Sequence, residues 1–163
     1  MDQIAFMKLI LAAPTCFVTF GHCYEFVKAS EISWQQAALL ASTRTYNGMT
    51  GYLATITNVL EENSLSTIAA AAGCSNCKYW IGLSSDEKAV WSWQFGPERG
   101  MNTSGFNVAG KAAPFKNWCI VPSDAAAFGA WSVACWQPST SSSIDGFIVE
   151  YGNTAIGKPA NIL

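Results

Sequence analysis

The chain has 163 residues, half of them hydrophobic, and a formal charge of −2 at neutral pH. This length suits one domain with a sizeable core. The net negative charge and the lack of a run of basic residues argue against a nucleic-acid partner. Charged residues make up only 12% of the chain, about half the usual share, which indicates either a surface buried against other chains or an extracellular protein solubilised by sugar.

The N-terminus is largely apolar from residue 4 to residue 20 and resembles a signal peptide. Pro14 interrupts this stretch, which is also short for a membrane span, and Cys16 is typical of a structural cysteine. We therefore predict an apolar N-terminal extension over residues 1–15 and an ordered N-terminal strand, with a membrane contact as the less favoured alternative.

Two helices are predicted in the first half. The first begins after Ser33 as N-cap, and its apolar residues recur at helical spacing at Trp34, Ala37, Ala38 and Ala41. The second begins at Asn58, where Glu61 three residues later predicts a capping box. Its buried stripe is predicted at Leu65, Ile68, Ala69 and Ala72, and Gly73 ends it.

The strand predictions fall mostly in the second half. Strand-like segments are Tyr52–Ile56 between the helices, then Tyr79–Leu83, Val90–Gln94 and Phe147–Tyr151. Residues 96–138 are rich in Gly, Ala, Pro, Asn and Ser and lack periodicity; such a long irregular stretch in a compact domain is usually functional. The pattern predicts a single α+β domain with helices first and strands after, followed by a C-terminal tail over residues 153–163.

Six groups of motifs occur in an order that a known family shares. They are Cys23–Phe26; Ser33–Ala37; Gly51–Ile56 with Glu61–Asn63; Trp80–Leu83 with Trp91–Trp93; Gly96–Gly100 with Asn117 and Trp118; and Gly146–Gly152. By these motifs the chain resembles a C-type-lectin-like domain of the bacterial and lower-eukaryotic type over residues 16–152. Each motif is weak alone, but six in the right order are specific.

The resemblance implies an α+β fold in which two helices flank small antiparallel sheets. The two ends of the domain would pair as strands, and a long loop region held out from the core would be the usual ligand platform. Trp80, Ile81 and Leu83 would pack beneath that loop as core residues, and Gly82 would permit a close backbone approach.

The six cysteines indicate an oxidising compartment. Fifteen connectivities are available, of which pairs of neighbours are the most natural. A zinc site or redox chemistry at Cys74 and Cys77 is disfavoured, because the chain has one histidine and this pair lies between a helix and a strand. The resemblance implies a loop bridge between Cys119 and Cys135 and a hairpin bridge between Cys16 and Cys23. The family's bridge from first helix to last strand is missing, and Cys74 with Cys77 is particular to this chain.

The calcium-binding motifs of the family are also missing. Val121–Ser123 replaces the first motif, and Trp131–Val133 or Trp136–Pro138 replaces the second. Asp124 is the only acidic residue between Arg99 and Ile144, whereas calcium needs six to eight oxygen ligands. We predict no metal, no cofactor and no catalytic residue, since paired carboxylates or a nucleophile with its base are not evident.

Two functions remain open from the sequence. In the first, the long loop region recognises a protein or a glycan without calcium, through the aromatic residues Phe115, Trp118, Phe128, Trp131 and Trp136. Trp118 and Trp131 are more readily explained as filling the space under the loop. In the second, the chain is a subunit of an extracellular filament, appendage or surface layer, packed through its apolar termini. Asn102 begins a glycosylation sequon, which with the cysteines predicts a secreted or cell-surface glycoprotein.

Overall fold

The computed structural model describes residues 13–17, 21–103, 115–120, 122, 127–132 and 135–152. Residues 1–12 of the predicted N-terminal extension, the tail after residue 152 and much of the long loop region lie outside these residues. Helices are α1 (Trp34–Ser42) and α2 (Val59–Ala71). The strands are β1 (Thr15–Phe17), β2 (His22–Lys28), β3 (Thr45–Tyr46), β4 (Met49–Thr50), β5 (Tyr52–Leu53), β6 (Lys78–Ser85), β7 (Trp91–Trp93), β8 (Phe128–Ser132), β9 (Cys135–Ser139) and β10 (Gly146–Tyr151).

The described strands form one mixed eight-stranded sheet and one two-stranded sheet. The order β1-β2-β10-β6-β8-β9 runs across the large sheet, with β5 paired to β10 and β7 to β6, while β3 and β4 pair separately. The pairing of β2 with β10 brings the two ends of the domain together, as predicted. The sheet is larger than expected because β10 and β6 join in parallel and link two antiparallel parts.

The two helices lie on opposite faces of the large sheet, which confirms the flanking arrangement. Side chains alternate between faces along a strand, and β10 shows this directly. Ile148 packs in one buried cluster with Leu65 of α2. Phe147 and Val149 pack in a second cluster with Ala37 and Ala41 of α1.

Both helices begin where the sequence predicts, but the capping hydrogen bonds of the second helix differ from those predicted. Ser33 and Gln36 form a reciprocal capping box at the start of α1. At α2, Asn58 accepts hydrogen bonds from the backbone N–H groups of Leu60 and Glu61. The predicted capping box is wrong, because the Glu61 carboxylate accepts from the N–H of Thr57 instead of Asn58. Gly73 follows the helix at φ 72°, as predicted for a C-terminal glycine.

Three further expectations are corrected. The strand predicted over Tyr52–Ile56 ends at Leu53, because the N–H of Thr55 donates to a Glu150 side-chain oxygen and not to a neighbouring strand. Ala72 is exposed rather than buried. Strands and helices also alternate along the chain, since β1 and β2 precede α1. Within the described part of the chain, no helix has the length and apolar character needed to cross a membrane.

All three predicted disulfides are present. Cys16 pairs with Cys23, Cys74 with Cys77, and Cys119 with Cys135. The Cys16–Cys23 bridge joins β1 to β2 at a directly opposed position, and the Cys119–Cys135 bridge ties the loop region to the start of β9. The family's missing bridge between first helix and last strand is replaced by apolar packing, in which Ala41 of α1 shares a cluster with Tyr151 of β10.

Candidate functional site

The base of the long loop region is fixed to α2 by one buried carboxylate. Glu62 accepts the indole N–H of Trp131 at 2.6 Å and that of Trp136 at 3.1 Å. Both tryptophans are fully buried. Burial raises the pKa of Glu62, and hydrogen bonds from Trp131, Trp136 and Asn117 oppose that rise. The two tryptophans therefore hold the loop base in place, as was favoured for Trp131, and ligand contact through Trp136 stays a prediction that its full burial argues against.

A second layer of aromatic residues lies above this carboxylate. The half-buried Trp118 meets Trp91 and Trp136 edge-on, with ring centroids 4.9 and 5.7 Å apart. Its indole N–H donates to the backbone oxygen of Thr103. Phe115, also half-buried, lies edge-on against Trp136. Trp118 and Phe115 thus remain partly exposed, and their contacts with the buried tryptophans fix their positions.

The described part of the loop region also presents an exposed aliphatic side chain. Ile120 is 65% exposed and follows Cys119, which is bonded to Cys135. The backbone N–H of Cys119 donates to the oxygen of Trp136, so the chain leading to Ile120 is held to β9 twice. Ile120 was not predicted as a site residue, since one aliphatic residue in an irregular segment gives no signal of its own.

Two other predicted site residues lie elsewhere or in a different environment. Phe128 stacks on Trp34 of α1 with centroids 4.7 Å apart, so it belongs to the packing of helix against sheet and not to the loop base. Asn102 is only 8% exposed, and Thr103 of the same sequon is fully buried. Glycosylation at Asn102 stays a prediction, and this burial argues against it in the folded domain.

A second polar cluster joins β2, α2 and β10. Nδ1 of His22 lies 3.3 Å from Oε1 of Glu61 and 2.7 Å from Oε1 of Glu150. Both carboxylates are buried, and the imidazole keeps 14% exposure. Contacts with Glu150 and Glu61 raise the pKa of His22 to about 10, while burial raises the pKa of Glu150. From the sequence, His22 was only the single histidine of the chain, and this cluster was not predicted.

Glu98 is the only acidic residue among the described residues of the loop region. Among residues 99–103, 115–120, 122, 127–132 and 135–144 none is acidic, and Asp124 lies outside the described residues. Glu98, at the start of the loop region, accepts a hydrogen bond from the Thr55 hydroxyl. The described loop residues therefore offer a calcium ion one charged ligand, which is too few for the usual site.

Comparison with solved structures identifies the fold. Human lithostathine matches with a TM-score of 0.62 over 86% of this chain and 97% of its own, at 18% identity. The C-type lectin carbohydrate-recognition domain of the mouse scavenger receptor matches with a TM-score of 0.59 over 88% and 97%, at 20% identity. The chain is a C-type-lectin-like domain by fold.

Sequence comparisons give partial matches to two larger proteins. The C-type-lectin-like domain is 36% identical over 83 residues to halomucin of Haloquadratum walsbyi and 26% identical over 135 residues to dog thrombomodulin. Those matches cover 50% and 76% of this chain but only 1% and 23% of the two relatives. No protein-family model matches the chain.

Proposed function

We propose that this C-type-lectin-like domain is an extracellular or cell-surface binding module that recognises a protein partner without calcium, through the loop surface around Ile120. The observation that carries the proposal is a fixed loop base with an exposed aliphatic residue and no described carboxylate between Arg99 and Ile144. The three disulfides and the likeness to halomucin and thrombomodulin support the extracellular or surface location.

A protein partner is favoured over a glycan by the chemistry of the described surface. Sugar rings are commonly bound by an open aromatic face, whereas Trp118 and Phe115 already use part of their rings against Trp91 and Trp136. Ile120 suits an apolar patch on a protein, where buried apolar contacts give most of the binding energy. The glycan alternative is supported by the mouse neighbour, which is titled a carbohydrate-recognition domain.

A binding test can separate the loop surface from the rest of the domain. Immobilised wild-type protein and the variants Ile120→Asp and Leu39→Asp are incubated in chelator with extracellular proteins of the source cells. Leu39 is a matched control, because it is 66% exposed and belongs to α1 and not to the loop region. We expect one partner to be retained by wild type and by Leu39→Asp and lost by Ile120→Asp. Retention by Ile120→Asp, or a need for calcium, would contradict the proposal.

The glycan alternative is tested on an array of immobilised glycans, again in chelator. Trp118→Ala removes the aromatic surface that a sugar would contact, while Phe128→Ala removes an aromatic ring that packs on Trp34. Binding of one glycan class that is lost only in Trp118→Ala would replace the protein partner by a glycan. Absence of glycan binding is the expected result.

Exposed apolar residues on both helices support the alternative function, in which the chain is a subunit of an extracellular assembly. Leu39 and Leu40 of α1 and Val59 and Leu60 at the start of α2 are all exposed, and such residues commonly mark contacts between chains. Size-exclusion chromatography with light scattering distinguishes the two functions. A compact monomer supports the binding module, whereas a polymer that dissociates in Leu39→Asp supports the assembly.

A further inference from the structure

An apolar groove lies beside α1, between the helix and the segment of chain that leads into it. Its volume is about 450 Å³. Three residues before the helix and three residues of the helix line this groove: Ser30, Glu31, Ile32, Gln36, Leu39 and Leu40. Leu39 is 66% exposed and Leu40 is 45% exposed. Exposed apolar side chains grouped around a groove commonly mark a site where another segment of protein binds.

The N-terminal strand directs the chain toward this groove. β1 pairs antiparallel with β2, so that Phe17 faces His22 and Thr15 faces Tyr24. Followed toward the N-terminus, β1 therefore points to the far end of β2, and Ser30 of the groove comes two residues after that strand ends. Among the described residues, β2 beyond Tyr24 has a strand partner, β10, on one side only. The route to the groove is thus a strand edge of the kind that proteins commonly cover.

The segment before β1 has the length and the composition to fill the groove. Along an extended chain, Ser30 is roughly 20 Å from Tyr24, whereas residues 1–12 span at most roughly 40 Å. Residues 4–11 are apolar except for Lys8. Packing these side chains against the leucines of the groove removes apolar surface of both from water, which is favourable.

The charges of the segment and of the groove are complementary. Lys8 is the only cationic side chain among residues 1–12. Glu31 is exposed in the wall of the groove, and within the described part of the chain it belongs to no ion pair. The backbone of Glu31 is held in place, because its N–H donates to the oxygen of Ile144 at 3.0 Å. Its carboxylate therefore offers a fixed position for the ammonium group of the segment.

We propose that residues 4–11 of the same chain dock into the groove beside α1. Their apolar side chains cover Leu39 and Leu40, and the ammonium group of Lys8 pairs with the carboxylate of Glu31. The same chain is favoured over a second copy because its segment is attached beside the groove, which gives it a high effective concentration there. The groove belongs to α1 and not to the loop region, so failure of this proposal leaves the proposed binding function standing.

Trypsin tests the docking in the full 163-residue chain, because Lys8 is the only cleavage site among residues 1–12. Mass spectrometry follows the release of residues 1–8 from native protein. Cleavage tracks the population of the open form, so we expect Leu39→Asp to speed the release about tenfold or more. Leu60→Asp makes the same change at a similarly exposed residue of α2 and should match wild type. Equal rates for Leu39→Asp and wild type would overturn the proposal.

A carbodiimide cross-link tests the occupant in the unmodified chain. The reagent joins an amine to a neighbouring carboxylate as an amide and takes up the water that is released. We expect a product that joins Lys8 to Glu31 and is absent from Glu31→Gln. In an equal mixture of unlabelled and ¹⁵N-labelled protein, both halves of this product should carry the same label. Mixed labels would assign the groove to a second copy, and absence of the Lys8–Glu31 product would refute the docking site; either result overturns the proposal.

Discussion

The indole N–H of Trp131 donates to Oε1 of Glu62 at 2.6 Å, between two buried side chains that lie 69 residues apart in the chain. Trp136 donates to the other oxygen of the same carboxylate. One acidic residue of α2 therefore fixes two neighbouring strands, β8 and β9, that support the loop region. Hydrogen bonds to a charged group contribute more than neutral ones, so Glu62 contributes substantially to the position of the loop.

Replacing Glu62 should destabilise the fold in proportion to the hydrogen bonds lost. Glu62→Ala leaves both indoles without an acceptor in the core, and we expect the free energy of unfolding to fall by about 3 kcal/mol. Glu62→Gln keeps one acceptor oxygen and should lose less than Glu62→Ala. Urea unfolding followed by tryptophan fluorescence measures both.

The matched control is Glu87→Ala, which removes an exposed carboxylate and should change the free energy of unfolding by less than about 0.5 kcal/mol. A Glu62→Ala variant as stable as this control would show that the two indole contacts do not support the loop base. The same pair of variants also separates the loss of hydrogen bonds from a general effect of removing negative charge.

The helical periodicity of the sequence could have predicted part of the burial of the α2 carboxylates. Glu61 precedes Leu65 by four residues, which places it on the same helical stripe, and that stripe is buried in the structure. Two adjacent acidic residues in a first helical turn are ordinarily solvated there. Their partners Trp131 and His22 come from strands that only the sheet topology brings close, so the sequence alone could not pair them.

The core motif was more predictable, because local sequence determines it. Trp80, Ile81 and Leu83 are buried as the resemblance implied. Gly82 lies against the next segment, where a β-carbon would come within 2.8 Å of the Leu53 oxygen and 3.3 Å of the Ala54 oxygen. A close backbone approach explains why this strand position holds glycine.

Gly82→Ala should therefore destabilise the domain although it adds a single methyl group. Backbone oxygens cannot move aside as side chains do, and the N–H of Gly82 also donates to Ala54 at 2.8 Å. We expect the free energy of unfolding to fall by about 2 kcal/mol, measured by thermal or urea unfolding. Gly21→Ala is a contrasting variant, because no atom lies within 4 Å of a β-carbon there and only its φ of 72° opposes the change. A Gly82→Ala variant of wild-type stability would refute the close approach.

The disulfides should differ in their contribution according to the length of chain that each one closes. Cys119 and Cys135 are 16 residues apart, and Cys74 and Cys77 are 3 apart. Restriction of the unfolded chain grows with loop length, so replacing Cys119 and Cys135 by Ala should cost about 3 kcal/mol and replacing Cys74 and Cys77 about half that. Urea unfolding of the two double variants gives the comparison. A larger loss for Cys74 and Cys77 would show that the short bridge has a role beyond chain restriction.

Calcium should have no effect on the stability of this C-type-lectin-like domain. The described residues of the loop region contain one carboxylate, that of Glu98, and Asp124 is the only acidic residue between Arg99 and Ile144, so a calcium ion lacks the charged oxygen ligands that it requires. Chelator-treated protein should keep its melting temperature when millimolar calcium chloride is added, as followed by circular dichroism. A ligand that binds only the native state raises the melting temperature, so a rise of several degrees that Asp124→Asn removes would place a calcium site in the loop after all. A rise that His22→Gln removes would instead assign calcium to the cluster at the terminal strands.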